Sequence, residues 1–233
     1  MMKIGSKKWQ DIIYKGAENL GILMDQGKIE KFSIHALELI KWNQKINLTA
    51  ITDPMEVAVK HFLDAIAPIP DITPHGSLLD IGSGGGFPGI PLKICMPSVS
   101  VTLIDASRKK VNFLKHMIRT LELENIYAFH MRSEDFAKKP EAAGFFDIVI
   151  SRAFSSMATF MMTAIPFLNK NGVIIAMKGA ISDHDIRILG SSVHKGLDGL
   201  AEDSEKFELH VKRYALPYLK LNRSMVCVRK IQD

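Results

Sequence analysis

Ser77-Leu78-Leu79-Asp80-Ile81-Gly82-Ser83-Gly84-Gly85-Gly86-Phe87-Pro88-Gly89-Ile90-Pro91 reads as a short buried strand that runs through a glycine turn into a helix. Leu78, Leu79 and Ile81 form the apolar strand. The glycines permit a tight turn with close backbone approach, and Pro88 or Pro91 suits a first helical turn, where a missing N–H costs little. Such a turn presents backbone amides to a nucleotide. Gly84, Gly86 and Gly89 fit G-x-G-x-x-G, and Asp105 follows about 20 residues later at the end of the next apolar strand, as a dinucleotide site requires. Asp80 points elsewhere. A pyrophosphate at the helix N-terminus is repelled by a carboxylate so close to the first glycine, whereas a ligand with an ammonium and a sulfonium is attracted. S-adenosylmethionine carries both cations and no phosphate. The pattern Asp80-x-Gly82-x-Gly84-x-Gly86 followed by Asp105 therefore favours a methyl-donor site over an NAD site.

Working outward, apolar residues upstream recur at helical spacing from Trp9 to Met24 and again from Lys28 to Lys45, where Ile29, Phe32, Ala36, Leu39 and Ile40 form the inner stripe. Asp53-Pro54 supplies an N-cap and a first-turn proline for a third helix to about Ala65. Residues 1–67 thus read as a helical extension, 68–76, rich in proline, as a linker, and 77–233 as the main domain. Downstream, strands at Val99–Ile104, Ile126–Phe129, Asp147–Ile150 and Val173–Met177 alternate with helices. One of these is capped by Ser107 and directs Val111, Leu114, Ile118 and Leu121 inward, with Lys109, His116 and Arg119 on its opposite face; others span Met157–Phe167 and Ser182–His194. Such alternation predicts a parallel, doubly wound α/β sheet. Phe207–Leu216 and Met225–Ile231 are joined too closely for a crossover helix, so they pair antiparallel. The expected whole is a Rossmann-like class I methyltransferase fold: a mostly parallel seven-stranded sheet ending in an antiparallel hairpin, preceded by helices.

The composition narrows the partners. The 233 residues carry a net charge of +5 with 47% hydrophobic residues, which suits one sizeable domain with a preference for anionic partners, RNA foremost. Cys95 and Cys227 are too few and too far apart for a disulfide framework or a zinc cluster, so no metal is expected and a reducing cytoplasm is. Neither a signal peptide nor an apolar run of about 18 residues is evident, so no membrane partner is expected.

Several further segments carry a resemblance beyond the glycine turn. Trp42-Asn43-Gln44-Lys45-Ile46-Asn47-Leu48-Thr49, Asp53-Pro54, His61-Phe62-Leu63-Asp64, Asp80 to Pro91, Ser151-Arg152-Ala153-Phe154 and Met177-Lys178-Gly179 are similar, in order and spacing, to the RsmG (GidB) family of bacterial 16S ribosomal RNA guanine-N7 methyltransferases. The similarity runs from about Leu39 to the C-terminus. It implies methyl transfer from S-adenosylmethionine to N7 of one guanine in the decoding-region loop of 16S rRNA; the expected partner is 16S rRNA or the 30S subunit, and a monomer in the cytoplasm is expected. It also implies donor contacts at Gly82, Phe87, Ser133, Glu134 and Arg152. Asp105 falls where this fold class holds ribose hydroxyls, and Asp80 and Gly84 complete the donor set. Lys60 stands where the family leads one to expect arginine.

The chemistry agrees with what is absent. Guanine N7 has an in-plane lone pair and no proton, so a methyltransferase acting on it needs alignment and no general base. There is no Pro-Pro-aromatic element after the fourth strand; Ser151-Arg152-Ala153-Phe154 stands there. The Hoogsteen edge of guanine is read best by arginine or lysine, and donation to O6 leaves N7 free to react. Arg152 and Lys178, just beyond strand ends, are the expected catalytic residues, with Phe154 placed to stack on the base; Arg152 also admits a loop-supporting salt bridge. His61 with Asp64, and Asn43 with Asn47, admit either a role at the site mouth or helix packing. Arg108, Lys109, Lys110, Lys115, Arg119, Arg132, Lys220, Arg223, Arg229 and Lys230 are candidate phosphate contacts. Methylation of a small molecule or protein, NAD-dependent oxidoreduction and a non-catalytic role in RNA assembly are the rival readings.

Overall fold

Strands β1 (Gly76–Ile81), β2 (Val99–Asp105), β3 (Ile126–His130), β4 (Phe146–Ser151), β5 (Leu168–Lys178), β6 (Lys206–Leu216) and β7 (Leu221–Ile231) form one sheet in the order β3-β2-β1-β4-β5-β7-β6. The structure is a computed structural model and describes residues 2–231 apart from Ala153, Ser155, Leu189 and residues 191–205. The first five strands run parallel; β7 pairs antiparallel with both β5 and β6. Successive strands are added outward in one direction from β1 to β3 and in the other from β4 to β5, so the strand order switches between β1 and β4 and a crevice opens at the carboxyl ends of β1 and its neighbours, where open α/β sheets bind ligands.

Alternation along the strands divides the apolar residues between two faces. Leu78, Val101, Ile148, Ile150 and Ile175 lie on one face, and Leu79, Ile81, Ile104, Val149 and Ile174 on the other. The first face is covered by α4 (Gly89–Cys95), α5 (Arg108–Thr120) and the N-terminal helices. Those are α1 (Lys7–Asn19), α2 (Gln26–Asn43) and α3, a continuous helix made of Pro54–Glu56, a wider π-helical segment Val57–Leu63 and Asp64–Ile66. The short α6 (Ser133–Phe136), α7 (Met157–Ala164) and a helical stretch at 183–188 follow in sequence. Trp9, Phe32 and Phe62 are fully buried in the same cluster as Leu78 and Phe113. Burial of each such side chain contributes about 1.5–3 kcal/mol, so the helical extension and the sheet share one core.

The N-terminal helices are also tied to one another. The Trp9 indole donates to the Pro54 carbonyl at 2.9 Å, and Asp53 caps α3 by accepting from the amides of Met55 and Glu56. Gly16 lets α1 approach α3: a Cβ there would lie 2.3 Å from Leu63 Cδ1.

Local departures from the sequence reading have local causes. α2 stops at Asn43, short of Lys45, because the Asn43 carboxamide oxygen accepts from the amides of Leu48 and Thr49 and closes a loop. That leaves Asn47 off the helix, with φ at 21°. Ser107 occupies the N-cap position of α5, but its hydroxyl makes no capping bond; its amide instead donates to Asp105. His116 is turned from solvent towards α2, where it meets Glu38 at 2.7 Å and packs against Trp42. The helix expected at Ser182–His194 is seen at 183–188, and its C-terminal part lies outside the described residues.

Candidate functional site

The glycine turn is held from three sides. At the end of β1, the amides of Gly82 and Ser83 donate to the Ile104 carbonyl at 2.9 and 3.2 Å. Asp105, at the end of β2, accepts from the Gly84 amide at 3.0 Å and the Ser107 amide at 2.8 Å, one bond on each carboxylate oxygen. Asp80 is fully buried and accepts from the Gly89 amide at 3.0 Å. Burial pushes the Asp80 carboxyl up to about 7, against the pull of that hydrogen bond. Asp80 therefore fixes where the turn enters α4, and it does not line the cleft in front of the turn. Only glycine fits at Gly89, because a Cβ there would lie 2.3 Å from Leu103 Cδ2 and 2.8 Å from Asp80 Oδ2.

In front of the turn is a cleft of about 260 Å³. Ile81, Ile104 and Met131 give it apolar walls, and Gly82, Asp105, Ser133 and Glu134 a polar rim. The structure thus brings together four of the predicted donor residues, with Phe154 at the edge. An apolar slot bordered by a carboxylate and hydroxyl or backbone groups is chemically suited to a nucleoside. Gly84 lies half-buried beside it.

Phe87 stands behind the turn. Its ring is buried between two imidazoles, His35 at 4.8 Å and 9° and His61 at 4.6 Å and 12°, with the Arg152 guanidinium 5.2 Å from its centroid. With the ring so enclosed and its amide donated to the Ser83 carbonyl at 3.0 Å, Phe87 lines neither this cleft nor the cavity around Asp64, and the structure does not bring it together with the other expected donor contacts. His35 belongs to α2, fully buried, and its Nε2 lies 2.8 Å from the Gly85 carbonyl. Burial lowers the pKa of His35 to about 4, and burial with the nearby Arg152 charge lowers that of His61 to about 3, so both rings are neutral at pH 7.

A second cavity of about 310 Å³ is lined by Lys60, His61, Asp64, Arg152, Lys178 and Arg223, among others. Asp64 anchors it. Its Oδ1 accepts from the Tyr214 hydroxyl at 2.9 Å and lies 3.5 Å from Arg223 Nε, and its Oδ2 lies 3.8 Å from Arg152. Burial raises the Asp64 pKa, while the two guanidinium charges and the tyrosine oppose that shift. Arg152 also donates to the Lys60 carbonyl at 2.9 Å, and its NH2 lies 3.4 Å from His61 Nδ1, whose Nε2 is 2.8 Å from the Thr49 hydroxyl. Lys178 donates to the Phe154 carbonyl, and burial lowers its pKa. Lys60 pairs with Glu56 at 2.5 Å. Four cations against two carboxylates leave the pocket positive, suited to an anionic or acceptor-rich ligand.

Arg152, Lys178, His61 and Asp64 were legible in the sequence; His35, Tyr214 and the placement of Arg223 were not. Arg223 belongs to this pocket and not to the open phosphate-binding surface. The register Lys178↔Ser224 across β5 and β7 sets it beside Lys178, so the signal was in the strand pairing. Arg108, Lys109, Lys115, Arg119, Arg132, Lys220 and Arg229 are exposed, and Lys110 and Lys230 half-buried. Asn43 serves the loop after α2.

Comparison with known proteins agrees with this geometry. The profile of the family described as GidB, rRNA small subunit methyltransferase G, matches residues 28–196. The chain is 40% identical over 212 residues to a ribosomal RNA small subunit methyltransferase G of Oceanobacillus iheyensis, covering 90% of this chain and 86% of that protein. It is 38% identical over 222 residues to the protein of that name from Geotalea uraniireducens, covering 95% and 97%. Among solved structures, M. jannaschii TYW2 in complex with AdoMet matches with a TM-score of 0.54 at 16% identity, over 91% of this chain and 79% of that one. A SAM-dependent methyltransferase from Aquifex aeolicus matches with a TM-score of 0.53 at 15% identity, over 83% and 97%. At such identities the structures speak for the Rossmann-like methyltransferase fold.

Proposed function

The chain belongs to the GidB family of rRNA small subunit methyltransferases G, and from that premise we propose that it methylates N7 of a guanine in the decoding-region loop of 16S rRNA. The observation that carries the reading is the pair of cavities at the carboxyl edge of the sheet, one suited to a nucleoside and one cationic, joined by the segment that begins at Arg152. S-adenosylmethionine supplies an electrophilic methyl group on a sulfonium. Asp105, Ser133, Glu134 and the Gly82 backbone are the residues that would hold it, and the apolar walls suit its adenine.

Arg152 and Lys178 are the proposed catalytic residues for the acceptor. Both are donors only, so both can bond O6 of the base while leaving N7 unbonded. Asp64, with Tyr214, fixes the guanidinium of Arg152, and Arg223 adds a second planar donor on the same carboxylate. No residue in the pocket has to take a proton, because N7 carries none. Alignment of two held ligands supplies the rate. The proposed setting is a monomer acting in the cytoplasm, where ribosomal RNA is found.

The test is transfer of a labelled methyl group from S-adenosylmethionine to 30S subunits lacking the modification, with the product nucleotide identified by mass spectrometry. Labelled 7-methylguanine at one 16S site is the expected result. Donor binding without labelling of 30S subunits or free 16S rRNA would overturn the acceptor and turn attention to proteins and small molecules.

A further inference from the structure

We propose that His35, on the N-terminal helix α2, is a positioning residue for methyl transfer: its imidazole holds the glycine turn by donating to the Gly85 carbonyl and stacking on Phe87. The proposal rests on the reading of that turn as the methyl-donor site. His35 lies outside both cavities and touches neither of them.

The contacts are specific. His35 Nε2 is 2.8 Å from the Gly85 oxygen, which can only accept, so Nε2 carries the hydrogen and Nδ1 is left as a lone pair. Nδ1 is buried with no hydrogen-bonding partner. As a packing device alone, the imidazole is therefore a poor choice. Phenylalanine would stack on Phe87 and fill the space among Phe62, Phe87 and Phe113 without the unpaired Nδ1. What phenylalanine lacks is the donor to Gly85. Gly85 is also within the turn that carries Gly82 and Gly84, the two glycines beside the donor cleft.

The fit around His35 leaves the turn little freedom. Gly86 has φ at +89°, and a Cβ there would lie 3.3 Å from His35 Cε1 and 2.6 Å from Ile90 Cδ1; one at Gly85 would lie 2.9 Å from Leu39 Cδ1. His35 and Leu39, one turn apart on α2, thus form the floor under Gly85 and Gly86. A carbonyl fixed from below fixes the orientation of the peptide plane, and with it the amide of Gly86, which donates to the Ser83 carbonyl at 2.7 Å. On the far side of Phe87, His61 completes the stack and contacts Arg152, so the floor bears on the acceptor pocket only at second hand.

The experiment compares the full chain with His35→Phe, which keeps the stack and removes the donor, and His35→Gln, which keeps a donor at a similar reach and removes the ring. Affinity for S-adenosylmethionine is read by calorimetry, KM for S-adenosylmethionine and for 30S subunits by methyl transfer, and folding by circular dichroism and thermal melting. His35→Phe is expected to stay fully folded and to melt within a few degrees of the parent, the gain from removing the unpaired Nδ1 offset by the Gly85 carbonyl it leaves without a donor, to bind the donor five- to twenty-fold more weakly and to change KM for 30S subunits less than twofold. His35→Gln is expected to recover at least half of the lost affinity, on a logarithmic scale. A fully folded His35→Phe chain with the parent's donor affinity would overturn the proposal, as would equal weakening toward donor and 30S subunits. Absence of donor binding by the parent chain itself would instead overturn the reading of the turn.

Discussion

The two cavities at the carboxyl edge of the sheet are assembled in opposite ways. The proposed donor cleft takes its walls from β1, β2 and the segments that follow β2 and β3, each close in sequence to the strand that positions it, with Phe154 after β4 at its edge. The acceptor pocket draws Lys60, His61 and Asp64 from α3, Arg152 from the end of β4, Lys178 from the end of β5 and Arg223 from β7. A motif can encode the first because neighbouring residues suffice. The second exists only once helices ahead of the sheet and a hairpin behind it have docked, and Asp64 is the group on which they meet. Local sequence thus goes far towards specifying the proposed donor cleft, and tertiary packing specifies the proposed acceptor pocket.

That division can be broken from either side. The largest effect is expected in the acceptor pocket: Lys178→Ala should lower methyl transfer about 100-fold or more, the scale on which lost orientation acts. Its affinity for S-adenosylmethionine, by calorimetry, should stay within about threefold of the parent. Unchanged turnover with unchanged RNA affinity would remove Lys178 from the mechanism. On the donor side, Asp105→Ala removes the acceptor of two loop amides and should weaken donor binding about tenfold or more, given about 1.5–3 kcal/mol for a charge-assisted bond. KM for 30S subunits should not follow it; a matching rise would merge the two cavities into one unit.

A third change tests the foundation and not the ligands. Gly89→Ala forces a Cβ towards Leu103 and Asp80. Overpacking of this kind costs about 1–3 kcal/mol, and at about 2–4 °C per kcal/mol for a chain of this size the melting temperature should fall by several degrees. Melting at the parent temperature would show that α4 shifts freely.

Smaller effects are expected from pH. The folded-state pKa values of about 4 for His35 and about 3 for His61 lie below the ordinary 6.5. Below pH 6.5 the unfolded chain takes up protons that the folded chain excludes, so stability is complete above that pH and is lost as pH falls towards 4. Asp80, pushed up to about 7, acts in the opposite sense: between about 4 and 7 the folded chain keeps a proton that the unfolded chain releases, and its contribution declines as pH rises. Melting curves at pH 7.5 and 5 should therefore show His35→Phe losing fewer degrees on acidification than the parent, and Asp80→Asn losing more. Parallel behaviour of all three chains would mean that these groups are not desolvated in solution. The smallest expected change is at the surface, where Lys109→Ala should reduce the salt dependence of RNA binding by about one unit of slope, with little change in turnover.

How far the sequence could be read follows the same contrast. Periodicity located the parallel strands, the hairpin and the three N-terminal helices, because each buries a regular stripe. The glycine spacing with Asp105 pointed to the turn in front of which the structure places a cleft. Asp80 was read for its charge, whereas its burial and its bond to the Gly89 amide come from tertiary packing that a charge argument in water does not capture. Ser107 looked like a cap because its residue type suits one, yet the Asp105 carboxylate took its amide. His35 sits within an apolar stripe, where nothing in the spacing distinguishes a buried imidazole with a task from one without. Arg223 looked like any surface arginine until pairing with β5 set it beside Lys178.

The strand order carries one further consequence, for the order of events during synthesis. β7 is made after β6 but lies inside the sheet, between β5 and β6. Until it arrives, β5 is an open edge that presents Ile174, Ile175, Ala176 and Met177, all buried in the finished protein. An apolar unpaired edge is a template for other chains. At about 5–20 residues per second it stands exposed for several seconds on the ribosome. Asp64 likewise waits for Tyr214 and Arg223. A nascent chain can thus have its donor cleft in place while it is still vulnerable to association, and only insertion of the final strand closes the edge and completes the acceptor pocket in the same event.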